Sequence, residues 1–175
     1  MICSVLTLFR IFGEIVLLRK GPEDLPRSSV LFVVVAFIWI AVGLTSVAVI
    51  ESYESSGLLI DMALAIIGLA FYAGAINVFG KGARILQSFT ALLGCSVVFS
   101  IVLFGGRLVL PLFLAESEAN WGVQMIWLWS IPVEGHIIAR TIDRQWAIGF
   151  FIAVAVLIAQ LQLFAIFKPM FETVS

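Results

Sequence analysis

The chain has 175 residues, of which 62% are hydrophobic and 12% are charged, and its formal net charge is -1. Soluble domains usually carry about 25% charged residues, so this composition excludes a soluble enzyme, a disordered tail and a collagen-like fibre. A charge this close to zero also provides no general basic patch for nucleic acid. We therefore expect an integral membrane protein built of α-helices, without nucleic acid among its partners.

Residues 1–29 are predicted to form a cytoplasmic amphipathic segment followed by a hinge. One helical face is apolar and consists of Ile2, Val5, Leu6, Phe9, Phe12 and Val16. Thr7, Arg10 and Glu14 share another face, which is typical of a helix lying in the membrane interface. The alternative, a full span, would bury Arg10 near mid-membrane at about 2.5–3.5 kcal/mol. The prolines of residues 21–26 then turn the chain.

Five later runs are long and apolar enough to cross about 30 Å of hydrocarbon, which takes about 20 helical residues. They occupy residues 30–50, 58–79, 85–106, 121–139 and 146–167. Because the connections are short, residues 30–175 are predicted to form one five-helix transmembrane domain. The expected fold is an all-α membrane protein, a bundle of five transmembrane helices with an N-terminal amphipathic interfacial helix.

The basic residues predict how this bundle is oriented. Eight of them flank the same ends of the predicted spans: Arg10, Arg19, Lys20, Arg27, Lys81, Arg84, Arg140 and Arg144. Lys168 flanks the opposite ends, together with several glutamates. Because cytoplasmic loops carry the excess of Lys and Arg, we expect a cytoplasmic N-terminus and an external C-terminus. The short loops favour a bacterial inner membrane.

Two ionisable residues inside the predicted spans lie at similar depth. Asp61 is near the outer end of the second span, and Arg107 is near the outer end of the third. Ionisable groups inside a bilayer are expensive, so each requires a reason. The two are predicted either to form an ion pair that fixes helix packing or to belong to a substrate or ion site. Each side chain alone also has the reach to snorkel to the headgroups.

The fourth run carries the densest group of polar residues. Glu134, His136 and Arg140 follow Pro132, at which a kink is expected. Glu134 and His136 project from different sides of a helix and cannot bind one metal ion, whereas His136 and Arg140 share a face. Three interpretations stay open. They are a bond from Glu134 to a neighbouring helix with His136 near the headgroups, a proton relay or acid–base pair, and a docking site for a partner.

No catalytic, metal or cofactor motif accompanies these residues. The chain has one histidine and two cysteines, and it lacks the common zinc-binding, phosphate-loop and nucleophile-elbow patterns. We therefore predict no catalytic residue, no metal and no cofactor. Asn77, Gln160 and Gln162 are instead predicted donors of interhelical hydrogen bonds.

Three stretches accompany the five-helix pattern: residues 21–26 before the first span, residues 87–94 in the third and residues 129–138 in the fourth. With them the chain resembles the Yip family of small five-span membrane proteins, in particular its bacterial uncharacterised inner-membrane members. The resemblance implies the same fold and an external C-terminus, and it supplies no catalytic residues. Eukaryotic members have a long acidic cytosolic region with an Asp-Leu-Tyr-Gly-Pro motif. This chain has neither, so small-GTPase binding is not implied.

The leading functional hypothesis is a non-enzymatic integral membrane scaffold or accessory subunit that binds other membrane proteins or lipids. The alternative is a small transporter or channel subunit, as a homo-oligomer, with Asp61, Arg107 and Glu134 along a path. A third hypothesis is an intramembrane enzyme that acts on a lipid, with Glu134 and His136 as acid and base. The first is favoured because no catalytic constellation accompanies the polar residues.

Overall fold

The computed structural model describes residues 2–49 and 55–172. At some helical positions, Asp61 among them, only the backbone is described. The described residues form six α-helices and three short 3-10 turns, and no strand occurs among them. The prediction of an all-helical chain is therefore confirmed for the described part of the protein.

The helices follow the predicted runs closely. In chain order they are α1 (Ile2–Val16), α2 (Ser29–Val49), α3 (Ser55–Val78), α4 (Ile85–Val109), α5 (Glu116–Thr141) and α6 (Trp146–Glu172). α4 continues through Arg107 and ends before Pro111, which has no backbone N–H to donate. α5 begins at Glu116, earlier than predicted, because acidic residues suit the positive N-terminal end of a helix.

Two stretches of the described residues are long and apolar enough to cross a membrane, Gly82–Leu112 and Trp146–Phe167. The apolar stretches Ser29–Thr45 and Met62–Val78 are shorter. The apolar character of α5 is interrupted by polar residues such as Glu134 and His136. The lengths of the apolar stretches therefore support membrane insertion through two helices, and they do not support the predicted five spans.

α4 is the central helix of the bundle. Its first half is buried around most of its circumference, including the polar side chains of Gln87, Ser88 and Thr90. α1, α2 and α5 pack against α4, whereas α6 packs against α5 and α3. α3 makes few contacts with α4, so it joins the bundle mainly through α6.

The backbones of α5 and α6 approach closely at two glycines. A Cβ atom at Gly135 would lie 2.6 Å from the Cα of Phe150, and one at Gly149 would lie 2.6 Å from the nitrogen of Ala139. Both separations are shorter than van der Waals contact, so any larger residue would push the helices apart. Glycine at both positions therefore sets the distance between these helices.

Three helices end in the same C-terminal motif. A residue in the left-handed region follows α1, α3 and α5, and these residues are Leu18 (φ 60°), Gly80 (φ 71°) and Asp143 (φ 53°). In each case the next amide bonds back to a carbonyl inside the helix, as from Arg19 to Glu14 at 2.8 Å, which defines a Schellman motif.

The three motifs gather at one end of the bundle, where α2, α4 and α6 begin. We call this the basic end, after the cations that it carries: Arg19, Lys20, Arg27, Lys81, Arg84, Arg140 and Arg144. The opposite end, where α4 ends and α5 begins, is called the distal end.

α1 is docked on the bundle. Phe12 and Ile15 are buried, and the ring of Phe12 lies against Gly94 of α4. The predicted apolar face included Phe9, which is 55% exposed, and did not include Ile15, which is 0% exposed. The buried face is thus turned around the helix axis from the predicted one, because contact with α4 selects it. Phe9 and Leu17 remain as an exposed apolar edge.

Candidate functional site

The polar residues of α5 bind the N-terminal segment, which comprises α1 and the hinge (residues 2–28). The indole Nε1 of Trp129 donates to a carbonyl oxygen of α1 at 3.0 Å. His136 Nε2 lies 3.0 Å from the carbonyl oxygen of Lys20, so this nitrogen carries the proton. Arg140 Nη2 lies 2.6 Å from Glu23 Oε1. The three α5 residues share one helical face because they are spaced by seven and four positions.

These contacts complete the C-terminus of α1. The last four carbonyls of a helix have no partner within it, and here backbone amides of the following turn satisfy the first three. The fourth carbonyl, that of Val16, accepts the bond from Trp129. A donor from α5 therefore caps α1 from outside.

A buried amide holds the hinge against α4. Gln87 is 7% exposed, and its Nε2 donates to the carbonyl oxygen of Leu25 at 2.7 Å. Its Oε1 accepts from Arg27 Nε at 2.8 Å. The hinge is therefore fixed by α4 as well as by α5.

Glu14 forms two ion pairs at the basic end. Its carboxylate oxygens lie 2.7 Å from Lys20 Nζ and 3.0 Å from Arg10 Nε. Hydrogen bonds from Lys20 and then from Arg10 lower the pKa of Glu14. Glu14 therefore joins α1 to the hinge through Lys20, and it neutralises one of the two cations that it contacts.

Glu134 bonds to a different helix. The hydroxyl of Tyr72 on α3 donates to Glu134 Oε2 at 2.6 Å, and Tyr72 is 4% exposed. This is the bond to a neighbouring helix that the sequence offers as one interpretation. Because Glu134 binds α3 and His136 binds the N-terminal segment, the two residues share no hydrogen-bond partner.

Two cavities meet at Glu134. The larger, about 220 Å³, lies between α4 and α5 and is lined in part by serines of both helices. The smaller, about 100 Å³, reaches Tyr72 and Gln160 on α3 and α6. Leu92, Ser96 and Glu134 line both. The side chain of Glu134 therefore borders two partly polar cavities.

Asp143 connects two of the three turns at the basic end, the one between α3 and α4 and the one between α5 and α6. Its Oδ1 lies 2.7 Å from Arg84 Nη1, and its Oδ2 lies 2.6 Å from Lys81 Nζ. Hydrogen bonds from Arg84 and then from Lys81 lower the pKa of Asp143 to about 2. Arg84 also donates to the carbonyl oxygen of Thr141 at 3.1 Å. The turn between α3 and α4 is thereby attached to the end of α5.

Asp61 and Arg107 stand apart from these contacts. The side chain of Asp61 lies outside the described residues, and Arg107 is exposed near the end of α4. The helices that carry them, α3 and α4, make few contacts with each other. Their ion pair stays a prediction.

Sequence reasoning misses the partners of the predicted residues, above all Tyr72, Gln87 and Glu23. Tyr72 and Gln87 are polar residues in apolar helices, which predicts that each is hydrogen-bonded but does not say to what. Among the predicted interhelical donors, Gln160 is confirmed, because its Nε2 donates to the carbonyl oxygen of Leu64 at 2.9 Å. Gln162 is exposed on α6.

Within residues 2–49 and 55–172, no group of three or more His, Cys, Asp and Glu side chains could hold a metal ion. The thiol of Cys95 is buried on α4. No known family model, curated protein or solved structure matches the chain. In this arrangement, the polar groups of α5 serve to bond it to α3 and to the N-terminal segment.

Proposed function

We propose that this chain is an integral membrane scaffold or accessory subunit without enzymatic activity, which binds other membrane proteins or lipids through its outer helix faces. One observation carries the proposal. The polar side chains Glu134, His136 and Arg140 of α5 each bond to another segment of the same chain, while the outer surface of the bundle is rich in exposed apolar side chains.

The outer surface supports insertion into a membrane. Large apolar side chains are strongly exposed on every long helix, as with Phe37 (72%), Ile66 (63%) and Phe151 (70%). Monomeric soluble proteins rarely expose contiguous apolar patches of more than a few hundred Å². α2, α3 and α5 have 21, 24 and 26 residues, which suffices to cross about 30 Å at about 1.5 Å per residue. We propose that all five long helices cross.

The basic end is proposed to face the cytoplasm, because cytoplasmic loops carry the excess of Lys and Arg. We also propose a bacterial inner membrane, because the connections are short, and a Yip-like arrangement of an N-terminal helix followed by five spans. A reporter that is active only outside the cytoplasm should be active when fused after Ser175. It should be silent when fused after Arg84 or Arg144. The reverse pattern would contradict the orientation.

The role of Glu134 separates a scaffold from a protein that moves or transfers protons. Glu134→Gln keeps an oxygen that accepts the Tyr72 hydrogen bond, so a scaffold should retain its level in the membrane and its complexes. Glu134→Leu removes that acceptor and leaves a buried hydroxyl without a partner, which costs about 1–3 kcal/mol. We expect lower levels and loss of complexes for the leucine variant alone, measured by native electrophoresis of solubilised membranes.

The matched control is Gln162→Leu, which makes a similar change on the exposed face of α6 and should alter neither quantity. His136→Gln provides a second test, because glutamine donates to the Lys20 carbonyl but does not titrate near neutral pH. If both glutamine variants lose function at normal protein levels and normal assembly, the scaffold proposal is wrong.

A transporter or channel subunit is the second candidate, and the two cavities that meet at Glu134 favour it. Ionisable residues inside membrane proteins often mark proton or ion pathways, and Glu134 borders two partly polar cavities. This candidate predicts that Glu134→Gln abolishes ion or solute flux in reconstituted vesicles. Ser96→Val should reduce the flux, because it removes a hydroxyl group that lines both cavities. A scaffold would give no flux that depends on either residue.

A further inference from the structure

A third cavity lies at the basic end, and we call it the rim cavity. Its volume is about 220 Å³, and it is bounded by the hinge, the start of α4 and the end of α5. Apart from Pro22, its lining is polar and consists of Glu23, Arg27, Arg84, Gln87, Ser88, Arg140 and Thr141. It shares no lining residue with the two cavities at Glu134, so it is a separate site.

The lining of the rim cavity has an excess of positive charge. Three guanidinium groups face one carboxylate, that of Glu23. Arg140 pairs with Glu23, and Arg84 pairs with Asp143 outside the cavity. Arg27 forms no ion pair with any carboxylate that the structure describes. The cavity therefore contains a cation whose charge no neighbouring acid neutralises.

Arg27 is exposed, and one hydrogen bond to a buried amide orients its guanidinium group. The buried side chain of Gln87 donates from Nε2 to the Leu25 carbonyl oxygen at 2.7 Å. Gln87 Oε1 therefore faces Arg27 and accepts a hydrogen bond from its Nε at 2.8 Å. The two terminal nitrogens of Arg27 take no part in this bond. A guanidinium that is anchored through Nε and offers both terminal nitrogens matches two oxygens of a phosphate group.

We propose that the rim cavity binds a phosphate group, with Arg27 as the principal ligand and Arg84 and Arg140 completing its lining. Pockets for drug-sized molecules measure about 300–1,000 Å³, so a cavity of this size suits a phosphate or a phospholipid headgroup better than a nucleotide. Basic pockets between helices on the cytoplasmic side of membrane proteins bind such headgroups. The phosphate site itself does not depend on the function proposed above. A lipid as the source of the phosphate does, because it requires the chain to lie in a membrane.

The first experiment measures lipid binding by the purified full-length chain in a neutral detergent. Native mass spectrometry would follow titration with phosphatidylglycerol, and phosphatidylcholine of the same chain length would serve as the zwitterionic reference. We expect preference for phosphatidylglycerol, and Arg27→Gln should weaken its binding by about tenfold. Arg19→Gln removes an exposed cation of the same end that does not line the cavity, and it should leave binding within about twofold.

The second experiment identifies the source of the phosphate. Thermal unfolding in detergent is recorded with inorganic phosphate and with sodium chloride at equal ionic strength. A phosphate-specific rise in Tm that Arg27→Gln removes assigns free phosphate as a ligand. Binding of phosphatidylglycerol alone, with the same dependence on Arg27, assigns the lipid headgroup. Either result supports the site.

Two results would overturn the proposal. Equal loss of binding in Arg27→Gln and Arg19→Gln would mean that the cations act as a diffuse field. Absence of any Arg27-dependent binding to either ligand would mean that the rim cavity is no phosphate site. Arg27→Lys controls for misfolding. It keeps the positive charge, so it should retain the Tm of the native chain while losing part of the affinity. The phosphate titration needs no bilayer, so its failure is distinct from failure of the reporter-fusion test above.

Discussion

The two ends of the bundle are held together by different means. At the basic end, side-chain hydrogen bonds and ion pairs connect the hinge, the turn between α3 and α4, and the end of α5. At the distal end, none of the described side chains between residues 101 and 125 forms a hydrogen bond or ion pair. Large apolar groups such as Leu112 (76%) and Phe113 (80%) are exposed there instead.

This difference separates two physical tasks. Directional bonds fix the register of neighbouring helices, because a shift by one residue breaks them, whereas apolar contact tolerates small shifts. The basic end is therefore the part that specifies how the helices are arranged. The distal end is held by less specific packing, so we expect it to open first when the fold is stressed.

The largest expected effect comes from the glycines. Gly149→Ala places a Cβ 2.6 Å from the Ala139 nitrogen, so α5 and α6 must separate near the basic end. We expect a loss of about 3 kcal/mol, at the upper end of overpacking costs. Gly105→Ala in the distal part of α4 meets nothing within 4 Å and should stabilise by up to about 1 kcal/mol, because alanine favours helix. Unfolding in mixed micelles measures both, and similar effects would erase the contrast.

The next effect concerns the buried amide. Gln87→Leu removes the donor to Leu25 and the acceptor for Arg27, and we expect a loss of about 2 kcal/mol because a buried carbonyl is left unpaired. The paired control at the distal end is Gln124→Leu on the exposed face of α5, for which no change is expected. Thermal unfolding in detergent compares the two. A loss of stability in the Gln124 variant as large as that in the Gln87 variant would show that bonding at the basic end confers no special stability.

A smaller effect is expected for the ion pair between Arg140 and Glu23. Both side chains are about half exposed, at 50% and 46%, so their coupling should be about 0.5 kcal/mol. A double-mutant cycle with glutamine at each position measures it. Replacing Arg144 instead of Arg140 in the same cycle should give no coupling. A coupling several times larger would mean that the pair is shielded from solvent in the membrane-bound protein.

The smallest effect is a dependence on pH. Because the folded-state pKa of Asp143 is lowered to about 2, its contribution is complete above the unfolded pKa of about 3.9 and is lost as pH falls toward the folded value. The Tm difference between the native chain and Asp143→Asn should therefore be present at neutral pH and shrink below about pH 4. A difference that persists unchanged in acid would exclude the ion pairs as its cause.

The helices were the predictable part of this molecule, because long apolar runs and prolines are local signals. The start of α2, the end of α3 near Gly80 and the start of α6 at Trp146 all follow from such signals. The hydrogen-bond partners were not predictable in the same way. The contact of His136 with Lys20 joins residues that are 116 positions apart, and it forms only when the N-terminal segment packs against α5.

The buried face of α1 shows the same limit at smaller scale. Its sequence offers more than one apolar stripe, and a flat interface would select the one that contains Phe9. Contact with α4 instead buries Phe12 together with Ile15, which lies outside that stripe, and no spacing within α1 predicts the position of a glycine on α4.

The external cap on α1 also has a consequence in time. The carbonyl of Val16 is capped by Trp129, which lies 113 residues later in the chain. At about 5–20 residues per second, a ribosome needs about 6 to 23 seconds to synthesise that interval. During this delay α1 has no partner on α5, and its apolar surface must be sheltered elsewhere. α1 has an exposed apolar edge with Phe9 and Leu17 and a buried apolar face with Phe12 and Ile15. Such a helix can bind a membrane surface first and pack against α4 and α5 once they are made.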